Sequence, residues 1–204
     1  MKLFYSSGAC SLSPHIVLRE AGLPFELVRV NLKTHRLDEG TDYDTINPKG
    51  AVPLLELDDG QRLTEGPAIV QYIADQVPQK RLAPPYGSMD RYRLIEWLNF
   101  IASDLRMGFW PLIRSKMPEE AKALARERLM RKFQQLDDCL AGREYTMGPA
   151  FSVADAYLFT VARWGKYCDV DLSGFARLQA FNARMMARPA VQAARIAEGL
   201  LTPA

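Results

Sequence analysis

Hydrophobic positions first alternate along the chain and then recur by threes and fours, and that change of period divides it in two. Lys2–Tyr5 is a short β-type run, followed by the turn-rich Ser6–Gly8. Ser13–Ala21 has a helical pattern with Pro14 in its first turn, where proline is tolerated, and Gly22 closes it. Phe25–Val30 (FELVRV) alternates as a strand does, and Val52–Leu57 is a third such run. Asp59-Gly60 then signals a hairpin into Arg62–Thr64. Pro67–Val77 places Ile69, Tyr72, Ile73 and Val77 on one helical face. The order is β-α-β, a loosely ordered connector, then β-β-α. Such an order predicts a small mixed sheet with helices packed on it.

Pro78–Ser88 holds three prolines, one glycine and few apolar side chains, the composition of a linker. Beyond it the strand signals stop. Leu94, Leu98, Ile101 and Leu105 step by four and three, as do Leu129, Phe133, Leu136 and Leu140, so each set marks the apolar face of a long helix. Ser152–Trp164 is apolar nearly all round, the pattern of a helix at a domain centre. Gly174–Ala187 and Pro189–Ala197 are two further helices parted at Arg188-Pro189. No internal repeat or low-complexity tract interrupts this. The division expected is an α/β domain over residues 1–80 and an all-helical domain over 88–204.

Composition narrows the function. The chain has 204 residues, 48% of them hydrophobic and 25% charged, the proportions of an ordinary globular protein. A formal charge of +2, without a basic run or an aromatic-interleaved basic patch, argues against a nucleic-acid partner. The N-terminus meets polar residues after three apolar positions, which is not a secretory signal, and no apolar stretch reaches transmembrane length. Cys10, Cys139 and Cys168 are an odd, widely spaced set without a CxxC pair, so a reducing cytoplasm is expected rather than a disulfide framework. His15 has no companion at metal-ligand spacing, and no metal is expected.

Cys10 sits between a strand and a helix in SGACSLSPH. Unpaired backbone N–H groups and the positive end of the helix dipole meet there and favour a thiolate. The plainer alternative is a small buried hydrophobe. Val52-Pro53, in NPKGAVPLLEL, is either an edge proline or a cis proline that offers the preceding backbone to an extended ligand. Thr64-Glu65-Gly66-Pro67 opens another helix, where backbone donors suit a carboxylate and Glu65 either answers a ligand ammonium or serves as ordinary capping. A thiolate, a backbone edge and an anion pocket beside a carboxylate together match a short peptide with an ammonium, a carboxylate and a thiol. Glutathione is such a peptide.

The stretches MKLFYSSGACSLSPHIVLREAGLPFELVRV, NPKGAVPLLELDDGQRLTEGPAIVQYIAD and FSVADAYLF resemble the signatures of bacterial beta-class glutathione transferases, and the similarity spans essentially the whole chain. The resemblance implies a thioredoxin-like first domain, a helical second domain, a homodimer and detoxification of small hydrophobic electrophiles. It implies that Cys10 contacts the glutathione sulfur and can form a mixed disulfide with it, with Tyr5 and Ser11 beside that sulfur. Val52, preceding Pro53, would pair with the cysteinyl backbone, and Glu65 and Gly66 would hold the γ-glutamyl end. Asn99, Ser103, Asp104 and Arg106 would line the site from the first long helix of the second domain, with Phe109, Trp110 and Pro111 as part of an apolar wall.

Two positions depart from the family. His35 replaces the usual lysine at the glycyl carboxylate, a weaker and pH-dependent cation. Arg106 replaces a histidine near the thiol; it keeps a positive charge but cannot act as a base. Gly66 also lacks the serine hydroxyl of many relatives. Ser152-Val153-Ala154-Asp155 reads as a variant capping box with a role in folding. The leading expectation is conjugation of glutathione to small apolar electrophiles. Thiol–disulfide or peroxide reduction through Cys10, with glutathione as the resolving thiol, and a non-catalytic binding module are the alternatives.

Overall fold

The computed structural model describes residues 1–202. Contacts divide the chain into two compact units, Met1–Leu82 joined by the stretch from Ala187 onward, and Ala83–Met186.

The first unit is built on a five-stranded mixed sheet of order β3-β2-β1-β4-β5. Its strands are β1 (Lys2–Tyr5), β2 (Glu26–Asn31), β3 (Arg36–Leu37), β4 (Leu54–Glu56) and β5 (Arg62–Thr64). β1 runs parallel to β2 and antiparallel to β4, in the register Leu3 with Leu27 and Leu55. Two helices complete the sandwich, α1 (Leu12–Ala21) and α2 (Gly66–Asp75). α1 stops at Gly22, whose φ of 70° supplies the left-handed cap that other residues adopt at a cost. The parallel β1-α1-β2 crossover and the β4-β5 hairpin form the expected thioredoxin-like α/β domain.

The connector between β2 and β4 is more ordered than its composition implies. It contains β3 and a short 3₁₀ turn, Tyr43–Thr45, capped by the Asp42 carboxylate, which accepts from the Asp44 N–H. Tyr43 is buried in a cluster with Phe4, Val30, Leu37, Val52 and Leu54. A single aromatic in a polar stretch carries no period, so the anchoring is invisible to pattern analysis.

The second unit is helical, with α3 (Met89–Phe100), α4 (Trp110–Ile113), α5 (Glu119–Cys139), α6 (Val153–Ala162) and α7 (Ala176–Ala187). The two apolar faces expected from spacing are buried throughout, from Leu94 to Leu105 and from Leu129 to Leu140. Every residue of α6 is buried, as its nearly all-apolar sequence requires, and the two polar side chains it buries, Asp155 and Thr160, are hydrogen-bonded. A π-helical turn over Ile101–Arg106 continues α3, a feature that a strict 3.6-residue period does not anticipate. The final helix, α8 (Pro189–Ala197), packs on α1, so the chain's last helix groups with the first unit. Among the described residues no helix is long and apolar enough to cross a membrane.

Candidate functional site

The loop Ser6–Ser11 carries the chain from β1 into α1 and holds Cys10, whose side chain is 7% exposed. Two backbone bonds turn it, from Ala9 N–H to the Ser6 carbonyl and from Leu12 N–H to the Ala9 carbonyl, both at 3.0 Å. α1 opens without a side-chain cap. Ser11, fully buried at the N-cap position, instead accepts the Ser6 N–H and donates to the Ser6 carbonyl, each at 3.1 Å. Its hydroxyl proton is therefore spent on the loop, which makes Ser11 a holder of the turn that presents Cys10. The cationic end of the helix macrodipole lies at this corner with no acidic residue in the first turn to oppose it.

Tyr5 ends β1 and is partly buried. Burial, with a smaller contribution from the Glu198 carboxylate, raises its phenol above the ordinary value of 10.0. The phenol thus stays protonated and can donate a hydrogen bond to an anionic sulfur.

The Val52–Pro53 peptide is cis. The preceding carbonyl, that of Ala51, accepts from the Tyr43 hydroxyl at 2.9 Å and from Asn47 Nδ2 at 2.7 Å. Neither the N–H nor the C=O of buried Val52 has a hydrogen-bond partner among the described residues. A fixed segment with an unpaired donor and acceptor on one residue is a ready edge for an extended peptide.

Glu65 precedes α2 with φ 71° and ψ 116°, a conformation that side-chain-bearing residues rarely adopt. Its carbonyl accepts from Ala68 and Ile69 N–H, both at 3.0 Å, and these bonds maintain the geometry. The side chain is exposed, with Lys49 Nζ at 3.7 Å. Gly66 is the first residue of α2 and Pro67 the second, so the helix start presents backbone donors beside a carboxylate.

His35 is also held at positive φ, 53°. Its Nδ1 lies 2.8 Å from Asp44 Oδ1, and its ring lies against Gly50, where an added Cβ would come within 2.6 Å of Cε1. Gly50 is needed on two counts, this close approach and its own φ of 61°. His35 therefore ties the turn after β2 to the 3₁₀ segment, and only its Nε2 edge remains without a partner among the described residues.

Asn99, Ser103, Asp104 and Arg106 belong to the second unit, on α3 and the π turn. Ser103 Oγ donates to the Asn99 carbonyl at 2.9 Å, a bond along the helix itself. Asp104 faces two cations of α5, Lys132 at 3.1 Å and Arg128 at 3.6 Å. Arg106 Nη1 lies 3.2 Å from Met107 Sδ. Phe109 is not part of a wall. It is fully buried between Phe133 and Trp164, with ring centroids at 6.1 and 5.9 Å, while Trp110 remains exposed beneath Arg114. Cys139, at the end of α5, is exposed, and burial raises the Cys168 thiol above its usual 9.0 against a smaller lowering by Arg126.

The structure thus gathers Tyr5, Cys10, Ser11, His35, Val52, Glu65 and Gly66 in one unit and sets the four helical positions in the other. It adds residues that the sequence does not single out, namely Tyr43, Asn47 and Glu198. The capping signal at Asp42 and the buried aromatic after it are local clues to the first two. Nothing local points to Glu198, whose partner His15 lies 183 residues away.

Comparison with known proteins returns one family from both halves. Residues 8–76 match the model of the glutathione S-transferase N-terminal domain, and residues 100–189 match that of its C-terminal domain. The chain is 52% identical over 200 residues to glutathione S-transferase GstA of Escherichia coli O157:H7, covering 98% of this chain and all of the relative. A sphingomonad glutathione S-transferase complexed with glutathione superposes with a TM-score of 0.95 at 49% identity, over 98% of this chain and 100% of that one. A beta-class glutathione S-transferase of Sphingomonas chungbukensis does so with the same TM-score at 46% identity and the same coverage.

Proposed function

The chain belongs to the glutathione S-transferase family, and on that premise we propose that it seats glutathione along the Val52 edge with its sulfur at Cys10, for transfer to a small apolar electrophile. It is a glutathione transferase. Similarity to named transferases supports that activity over disulfide reduction and over a non-catalytic module.

The carrying observation is the thiol at an uncapped helix start within the same unit as an unpaired backbone edge. In this reading the cysteinyl N–H and C=O of the tripeptide pair with Val52, and Glu65 with the Gly66 end of α2 takes the γ-glutamyl group. The Tyr5 phenol donates to the sulfur, and the α1 dipole favours its ionised form. Cys10 positions the sulfur. His35 offers Nε2 to the glycyl carboxylate while Asp44 keeps Nδ1. Arg106 supplies fixed positive charge, and Asn99, Ser103 and Asp104 line the second-domain side. The chemistry is orientation plus a larger thiolate fraction on glutathione, which attacks the electrophilic carbon and expels its leaving group. A homodimer and a cytoplasmic setting complete the proposal. Tyr86, just before α3, and Met89 and Tyr92 in its first turn are large apolar side chains left exposed, which suits an interface.

Mass spectrometry of the purified protein treated with oxidised glutathione tests this. One glutathione adduct on Cys10 is expected, and Cys10→Ala removes it while conjugation of an aryl halide continues. Adducts only on Cys139 or Cys168 would overturn the assignment of the site, and loss of both activities in Cys10→Ala would overturn the positioning role.

A further inference from the structure

The buried polar cluster behind the thiol loop is not used by the mechanism above. Glu198 follows α8, and its side chain and that of His15 are both 0% exposed. Oε1 of Glu198 lies 2.8 Å from His15 Nδ1. Oε2 accepts the Gly8 N–H at 2.9 Å, and the Glu198 carbonyl accepts the Ser7 hydroxyl at 2.6 Å. On the other edge of the imidazole, Nε2 takes the Arg19 Nε–H at 2.9 Å. Arginine has no acceptor, so Nε2 carries no proton and the imidazole proton sits on Nδ1, donated to the carboxylate. A neutral imidazole therefore joins a buried carboxylate to a guanidinium, and the charge of Glu198 is matched through it.

These bonds converge on Ser7 and Gly8, three and two residues before Cys10. Gly8 is at φ 70°, and Leu200 lies 3.5 Å from where its Cβ would be, so the tail after α8 also covers the loop. Glu198 further contributes to keeping the Tyr5 phenol protonated. Ser11 holds the loop from inside, at Ser6, and Glu198 holds it from the far end of the chain.

We infer that Glu198, backed by His15 and Arg19, is a positioning residue for Cys10, so that the C-terminal tail sets the geometry in which the thiol meets glutathione. The inference rests on Cys10 being the group that meets the glutathione sulfur. A carboxylate is required because two donors, Gly8 N–H and His15 Nδ1–H, must each find an acceptor. An amide offers one oxygen and turns its NH₂ against the other donor.

The test uses the full-length protein with Glu198→Gln and Ser7→Ala. Two quantities are measured well below the melting temperature: alkylation of Cys10 by iodoacetamide without glutathione, located by peptide mass spectrometry, and KM for glutathione and for 1-chloro-2,4-dinitrobenzene. Glu198→Gln is expected to speed alkylation of the buried thiol and raise the glutathione KM, each by about tenfold, with the electrophile KM within about twofold. Ser7→Ala removes one bond at an exposed residue and is expected to act in the same direction by about threefold. If both variants keep wild-type alkylation and wild-type glutathione KM, however far the melting temperature falls, Glu198 is a stability residue and the inference is overturned. Should Glu198→Gln fail to fold, Ser7→Ala decides by the same two readouts. If the wild-type protein does not bind glutathione, the proposed function fails, while alkylation alone still decides whether the tail positions the thiol.

Discussion

Three helices of this protein start at a serine, α1 at Ser11, α3 at Ser88 and α6 at Ser152, and the starts of α6 and α1 are finished in opposite ways. At α6, Ser152 and Asp155 form a complete capping box: the Asp155 carboxylate accepts the Ser152 N–H and the Thr146 N–H, each at 2.7 Å, and the Ser152 hydroxyl at 2.8 Å. At α1, Ser11 turns its hydroxyl back onto Ser6, and no side chain caps the helix. The same residue type thus closes one helix end and leaves the other open. A satisfied end contributes to stability, and an open end with no acidic residue in its own first turn can meet an anionic sulfur. The corner with the thiol is the one left uncapped.

The comparison breaks most visibly at Asp155. Asp155→Ala strands two buried N–H groups and is expected to cost about 3 kcal/mol, read by urea unfolding, while adduct formation on Cys10 in the folded fraction stays at the wild-type rate. A loss of Cys10 chemistry larger than the loss of folded protein would show that the closed end also serves the site. Ser11→Ala should reverse the balance. Its two bonds to Ser6 are worth about 1–2 kcal/mol, and the glutathione adduct on Cys10 should form roughly tenfold more slowly because the loop loses its internal brace. Wild-type adduct kinetics in that variant would remove Ser11 from the site.

The smallest effect is a dependence on pH. Burial holds the Asp155 carboxyl above its ordinary 3.8, although the bonds from Thr146 and Ser152 oppose this. The folded protein therefore binds that proton more tightly than the unfolded chain. The stability this contributes is fully present below the unfolded-chain pKa and is lost as pH rises through the folded value. Unfolding free energies measured upward from pH 4 should decline for the wild type and lack this component in Asp155→Asn. A rise with pH at this residue would mean that its hydrogen bonds outweigh burial.

Much of the fold is legible along the chain because its causes are short-range. The period of Leu94, Leu98, Ile101 and Leu105 survives even through the π turn, since each of the four side chains still reaches the core. The hairpin at Asp59-Gly60, the stop at Gly22 and the cap at Ser152 each depend on residues within a few positions of one another. Phe109 shows where such signals fail. An aromatic next to a helix end reads equally well as a pocket wall or as core, and packing against Phe133 and Trp164 decided for core. His35 is similar, since a cation facing a ligand and a ring clamped by Asp44 over Gly50 have the same sequence.

By itself, then, the sequence determined two units of different secondary structure, the family, and a cysteine at the turn from strand to helix. Each follows from periodicity, turn chemistry or a contiguous motif, all of which act between neighbours in the chain. Tertiary structure alone decided that Tyr43 and Asn47 grip the carbonyl before Val52, and that α8 returns to α1. It also decided that Glu198 reaches His15 and Gly8. The bonds from Glu198 cross 183 and 190 residues and exist only after the chain has closed on itself, so no window of sequence contains both partners. Tyr43 and Asn47, by contrast, lie within eight residues of Ala51 and await only the burial of their segment.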